Sequence, residues 1–193
     1  YIPEPKCSLD YNKDYELLIA TVLSAQTTDK RVNEVTKVLF TKYNSLERLK
    51  NAPLDDIKDI IKPIGMVNKK SVFVKDIAAF LLDNCNGVVP NDEEVLTSIP
   101  GVGRKTSNVV RSNLFSCPLI AVDTHVTRVS KRLNIAKEKD DVLTIEKKLM
   151  KYFPKEKWSR LHHQLVLFGR YNCTPKNPKC NNCNLKEICK ATK

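Results

Sequence analysis

The chain has 193 residues, 41% of them hydrophobic, with five glycines and ten prolines, which is apolar content enough for one large compact domain or two small ones. Lysine and arginine outnumber aspartate and glutamate by 33 to 22, and the net charge of +11 points to a polyanionic partner whose phosphates such a surface neutralises. No apolar run reaches the length of a bilayer span and no signal-peptide pattern opens the sequence, so neither a membrane protein nor a secreted one is expected.

Helical periodicity runs along nearly the whole chain. Tyr15, Leu18, Ile19, Val22 and Leu23 share one helix face, as do Val32, Val35 and Leu39, and then Phe73, Ile77, Phe80 and Leu81. Asn91 followed by Glu94 reads as a capping box ahead of Val95 and Leu96. Thr106, Val109, Val110 and Leu114 form the next stripe, followed by Val126, Val129 and Leu133. Val142, Ile145, Leu149 and Phe153 come next, then Leu161, Leu165 and Phe168. Pro53, Pro63, Pro90, Pro118 and Pro154 fall between these segments, as helix breakers should. No alternating strand pattern competes, so the fold class is all-α, with about ten short helices.

Between two of these stripes stands Ile99-Pro100-Gly101-Val102-Gly103-Arg104-Lys105-Thr106. Gly101 and Gly103 permit a tight turn and let backbone N–H groups approach a phosphate closely. The helix that follows turns its free amides and positive dipole end to the same anion, a contact that holds DNA without reading sequence. An ordinary helix–turn–helix connector is the plainer reading, and Arg104 beside the turn favours phosphate.

Lys105 falls in the first turn of that helix. An ordinary lysine has a pKa of about 10.4 and must lose its proton to act as a nucleophile; a helix N-terminus and a neighbouring cation such as Arg104 both act in that direction. Asp123, in Val122-Asp123-Thr124-His125, has the position of an N-cap. A carboxylate there is also able to stabilise positive charge at a sugar or to move protons. His125 reads as a structural residue of the first turn.

Seven cysteines without a secretory signal argue against a disulfide framework. Cys173, Cys180, Cys183 and Cys189 crowd the C-terminus with spacing C-x6-C-x2-C-x5-C. Only one C-x2-C pair is present where zinc sites usually show two, and the pattern is not ferredoxin spacing, so zinc and an iron–sulfur cluster both stay open, with a lean to the cluster. Residues 170–193 hold Arg170 and five lysines against Glu187 alone; Lys176 and Lys179 lie in the six-residue loop, where a metal would fix them toward a phosphate backbone.

In their order and spacing these residues resemble the helix-hairpin-helix DNA glycosylase superfamily, and within it the iron–sulfur endonuclease III family. The resemblance runs from about Tyr15 to Cys189. It rests on Leu23-Ser24-Ala25-Gln26-Thr27-Thr28-Asp29, Ile64-Gly65-Met66, the hairpin from Pro100 to Lys105, Val122-Asp123-Thr124-His125, His162-His163 and the four cysteines. Two departures are Thr27, where a small residue is usual, and Lys131, where asparagine is common.

The resemblance implies a six-helix domain over residues 7–117, carrying the helix-hairpin-helix at about 92–115. It implies a second helical domain from the chain ends, 1–6 and 118–193, with a [4Fe–4S] cluster on Cys173, Cys180, Cys183 and Cys189. It gives Lys105 the attack on C1′ of a damaged nucleotide and Asp123 the support of that step. Gln26 would fill the space left by an extruded base and Met66 would act as a wedge, with Gly101, Gly103, Arg104, Lys176 and Lys179 on the DNA. The implied activity is excision of oxidised pyrimidines and strand cleavage 3′ to the abasic site by β-elimination through a lysine Schiff base. The implied partner is double-stranded DNA with a damaged pyrimidine or abasic site. A monomer is expected, in the cytoplasm of a bacterium or archaeon or the nucleus of a eukaryote. The alternatives are a monofunctional mismatch glycosylase of the same superfamily, which lacks the hairpin lysine, and a non-catalytic DNA-binding module with a structural metal.

Overall fold

The computed structural model of the chain describes Ile2, Pro5 and residues 7–192. Its described residues form ten α-helices, short 3-10 turns and no strand. They divide into two compact units, one of residues 7–115 and one of Ile2, Pro5 and residues 116–192. None of the helices is long and apolar enough to cross a membrane.

The first unit is built around α1 (Asp14–Leu23), where Tyr15 to Leu23 are all buried. Leu17, Leu18, Ile19, Ala20 and Leu23 have no exposed surface. A helix apolar on every side must be enclosed, and each such leucine or isoleucine contributes about 1.5–3 kcal/mol by leaving water. The buried Glu16 is satisfied locally: its Oε2 accepts from the N–H groups of Asn12 (2.7 Å) and Lys13 (3.2 Å), closing the open start of the helix. Around α1 pack α2 (Asp29–Lys42), α5 (Val67–Cys85) and α7 (Arg104–Leu114). Two short helices, α3 (Leu46–Asn51) and α4 (Leu54–Ile61), cover α5 with Leu49, Ile57 and Ile61. Their apolar stripes are only two residues long, too short to stand out in the sequence.

Helix α6 (Glu93–Ser98) leads into α7. Its N-cap is Asp92, whose Oδ1 accepts from Val95 N–H at 2.9 Å. The N-cap is thus one residue later than the Asn91 expected, and with Val95 at the third helical position no capping box forms. Asn91 Oδ1 instead accepts from Arg111 Nε at 3.2 Å, the helix start being already served by the Asp92 carboxylate.

The second unit holds α8 (Thr124–Arg132), α9 (Val142–Tyr152) and α10 (Trp158–Tyr171). Their common core contains Ile120, Val126, Val129, Ile145, Leu149, Leu165 and Phe168. Helices α8 and α10 approach closely at Gly169, where a Cβ would lie 2.9 Å from that of His125. Beyond α10 the chain is irregular, and Cys173, Cys183 and Leu185 pack against the same core.

Candidate nucleic-acid interface and metal centre

The hairpin between α6 and α7 is pinned by Val102, which is buried and whose N–H bonds to Ile99 O at 3.0 Å. Its two glycines do different work. Gly101 has φ +85, in the left-handed region, and a Cβ there would lie 2.6 Å from Cγ of Phe73 on α5. Gly103 has φ −98, and a Cβ there would meet nothing within 4 Å. It is the N-cap of α7, and no side-chain hydrogen bond caps that helix.

Lys105 is exposed and carries no hydrogen bond or ion pair to the described residues of its unit. Arg104 is paired with Glu93 of α6, and the same carboxylate lies 3.4 Å from Arg111. One acid thus pairs with a cation in the first turn of α7 and one in its last.

Gln26 and Met66 are both exposed and both left-handed, at φ 58 and φ 51. Such angles are uncommon for residues other than glycine, asparagine and aspartate. Gln26 lies in the turn after α1, and Met66 is the N-cap of α5. Sequence reasoning missed Lys70, which stands between these turns. It is 1% exposed, and its Nζ donates to Ala25 O at 2.8 Å and Ile64 O at 3.0 Å. Burial pushes the amine below its ordinary range. The signal was available, because Lys70 falls on the apolar stripe of Val67, Val74, Ile77 and Leu81.

In the second unit Asp123 caps α8. Its Oδ1 accepts from both His125 N–H and Val126 N–H at 2.8 Å, and its other oxygen has no hydrogen bond within that unit. His125 Nδ1 faces Arg128 Nη2 at 3.2 Å; a guanidinium only donates, so the ring nitrogen accepts. Burial pushes the His125 imidazole below its usual range; Asp123 opposes this, while Arg128 and Arg170 add to it. Lys105 and Asp123 belong to different units.

All seven cysteines are free thiols. Successive tight turns, Cys183 N–H to Cys180 O, Lys186 N–H to Cys183 O and Cys189 N–H to Lys186 O, fold the tail back on itself. Cys173, Cys180, Cys183 and Cys189 thereby line one cavity of about 150 Å³, together with Arg132, Phe168 and Lys179. No three His, Cys, Asp or Glu side chains among the described residues form a ligand set for a single metal ion. Arg132 Nη1 lies 3.2 Å from Cys173 Sγ and 2.8 Å from Thr174 O; Arg128 Nε donates to Cys173 O at 3.0 Å. Two arginines of α8 therefore hold the first cysteine of the set. Lys176 and Lys179 are exposed on the loop between Cys173 and Cys180.

Residues 19–155 match the family model of the HhH-GPD superfamily base excision DNA repair proteins. Endonuclease III of Bacillus subtilis strain 168 is 46% identical over 188 residues, covering 97% of this chain and 86% of that protein. Endonuclease III of Escherichia coli K12 is 41% identical over 187 residues, covering 97% and 88%. A solved structure of a trapped covalent intermediate between an endonuclease III and DNA superposes with a TM-score of 0.95 at 47% identity, covering 98% of this chain and 89% of that one. The chain belongs to the HhH-GPD superfamily of base excision DNA repair proteins, and its activity in outline is that of a DNA glycosylase.

Proposed function

We propose that the chain is bifunctional: it excises oxidised pyrimidines from duplex DNA and then cleaves 3′ to the abasic site. The observation that carries this reading is Lys105, an exposed amine without a partner in its unit, on the first turn of a helix whose N-terminal amides no side chain caps. A covalent enzyme–DNA adduct in a solved structure of a protein 47% identical to this one supports the same chemistry.

In this reading a phosphate settles on the hairpin amides beside Gly103, where the missing side chain leaves room. The damaged nucleotide leaves the stack, at lower cost than an intact pair. Lys105 Nζ, as the free amine, bonds to C1′ while the electron pair of the glycosidic bond departs with the base. Ring opening gives a Schiff base; loss of a C2′ proton then expels the 3′ phosphate. Asp123 has the task of electrostatic support for the cationic stage, since one of its oxygens caps α8 and the other carries no hydrogen bond within its unit. Gln26 fills the vacated base position and Met66 wedges the stack. Arg104, Lys176 and Lys179 supply positive charge along the backbone.

The four cysteine sulfurs fit a [4Fe–4S] cluster better than one ion, since they surround a cavity and do not converge as a single-ion ligand set. Bound there, the cluster would supply a rigid, charged mount for the loop with Lys176 and Lys179. The protein acts as a monomer in the cytoplasm, on DNA.

Borohydride trapping on duplex DNA with an abasic site tests the proposal. Wild type should form a covalent adduct and Lys105→Gln none. Equal adducts from both would move the nucleophile elsewhere; no adduct from folded wild type would leave a monofunctional glycosylase or a binding module.

A further inference from the structure

We propose that Lys70 is a positioning residue that locks the Gln26 turn and the Met66 turn into one DNA-facing pair; this rests on the DNA-repair reading above. The amine is buried near the N-terminal end of α5, where the helix dipole opposes a cation. A leucine or methionine would fill the same space without taking a charge out of water. What a lysine adds is a set of donors, and here they go to two carbonyls from two separate turns.

The location of those carbonyls is informative. Ala25 C=O belongs to the peptide that leads into Gln26, and Ile64 C=O to the peptide that leads into Gly65 and then Met66. Fixing a peptide plane fixes the starting direction of the next residue. Gln26 (φ 58) and Met66 (φ 51) then take left-handed angles that residues of their type adopt when their surroundings impose them, and Gly65 (φ 66, ψ 177) takes one open to glycine. Local hydrogen bonds do not hold both turns alone: Ala25 N–H to Val22 O and Thr27 N–H to Ser24 O are both 3.3 Å and Gly65 N–H to Lys62 O is 3.4 Å, while the Lys69 and Lys70 amides, 3.1 and 3.0 Å from Met66 O, tie Met66 to α5 and do not reach the peptide before Gly65. The Lys70 side-chain bonds, at 2.8 and 3.0 Å, tie the two turns to one atom. Since Gln26 and Met66 are exposed, the lock spends a buried charge on holding two side chains that contribute nothing to the core.

A double-mutant cycle tests this. Lys70→Met is made in wild type and in a Gln26→Ala, Met66→Ala background, and binding is measured to a duplex carrying a stable tetrahydrofuran abasic analogue, with folding checked by circular dichroism. Positioning predicts a loss of about tenfold in the wild-type background and less than about twofold in the other, because the residues Lys70 serves are already gone. The cycle is run in parallel with Lys70→Gln, which retains amide donors, so that a methionine variant unable to fold still leaves a decision; its loss should likewise vanish in the double-alanine background. An equal loss in both backgrounds, or none in wild type, overturns the role of Lys70 alone. Failure of folded wild type to bind the abasic duplex overturns the DNA reading and this inference with it.

Discussion

Replacing each hairpin glycine by alanine should separate a folding residue from a binding residue two positions apart. At Gly101 an alanine must take φ +85, at a cost of about 1–2 kcal/mol for a left-handed residue. Its Cβ would also stand 2.6 Å from the Phe73 ring, and overpacking of that kind costs about 1–3 kcal/mol. Gly101→Ala should therefore lose about 2–5 kcal/mol, a large share of the ~5–15 kcal/mol typical of a domain. At Gly103 the angle is ordinary and the space empty. Reduced freedom of the unfolded chain gains about 0.4–1 kcal/mol there, and alanine's poor capping offsets it by a similar amount. Gly103→Ala should stay within about 1 kcal/mol of wild type, yet lose about tenfold in DNA affinity as the methyl group pushes a phosphate off the amides. No cation is removed, so the slope of log affinity against log salt should not change. Urea unfolding and fluorescence-anisotropy titrations at three salt concentrations measure both. A Gly103→Ala protein that binds as wild type would refute the phosphate contact, and a fully stable Gly101→Ala would refute the steric argument.

Asp123→Asn retains a capping oxygen and should fold nearly as wild type, whereas Asp123→Ala should lose about 0.5–2 kcal/mol; both should lower single-turnover excision by a hundredfold or more. Equal stability of the two variants would remove the capping role. Burial depresses the imidazoles of His125 and His163, so the unfolded state takes up more protons than the folded one as pH falls below about 6.5. The stability they contribute is full above that pH and is lost as pH falls toward their folded values. Urea midpoints followed through Trp158, the chain's one tryptophan, should drop between pH 7.5 and 5.5, and less steeply in His125→Asn. A midpoint that rises on acidification contradicts the assignment. Freshly purified protein should be brown with visible absorption, and Cys183→Ser should lose most of it; colourless protein that retains zinc would exclude the cluster.

Much of the fold was readable because long helices repeat their apolar residues often enough to be seen. The stripes at Tyr15–Leu23 and Leu161–Phe168 lie in helices with buried faces, and that at Val126–Leu133 runs through α8 to its C-cap. The short α3 and α4 gave too few repeats, and the cap at Asp92 was missed because neighbouring Asn91 is an equally good capping residue by type. At the candidate site, the hairpin, the cysteines and Asp123 were legible from residue type and spacing. Lys70 was not, since a lysine inside a helix reads as solvated unless its register against Val67 and Val74 is followed. Nor do Gln26 and Met66 look like left-handed residues: nothing in a glutamine or methionine announces a backbone angle that neighbours enforce.

The opening turns of α5 touch three exposed features at once: Met66 begins the helix, Lys70 grips the turn before Gln26, and Phe73 sits against Gly101. These features are thus bolted to a single rod and cannot drift apart one at a time. Retuning what such a scaffold recognises has to come from exchanging the tips it carries, because sliding any one mount would drag the other two out of register.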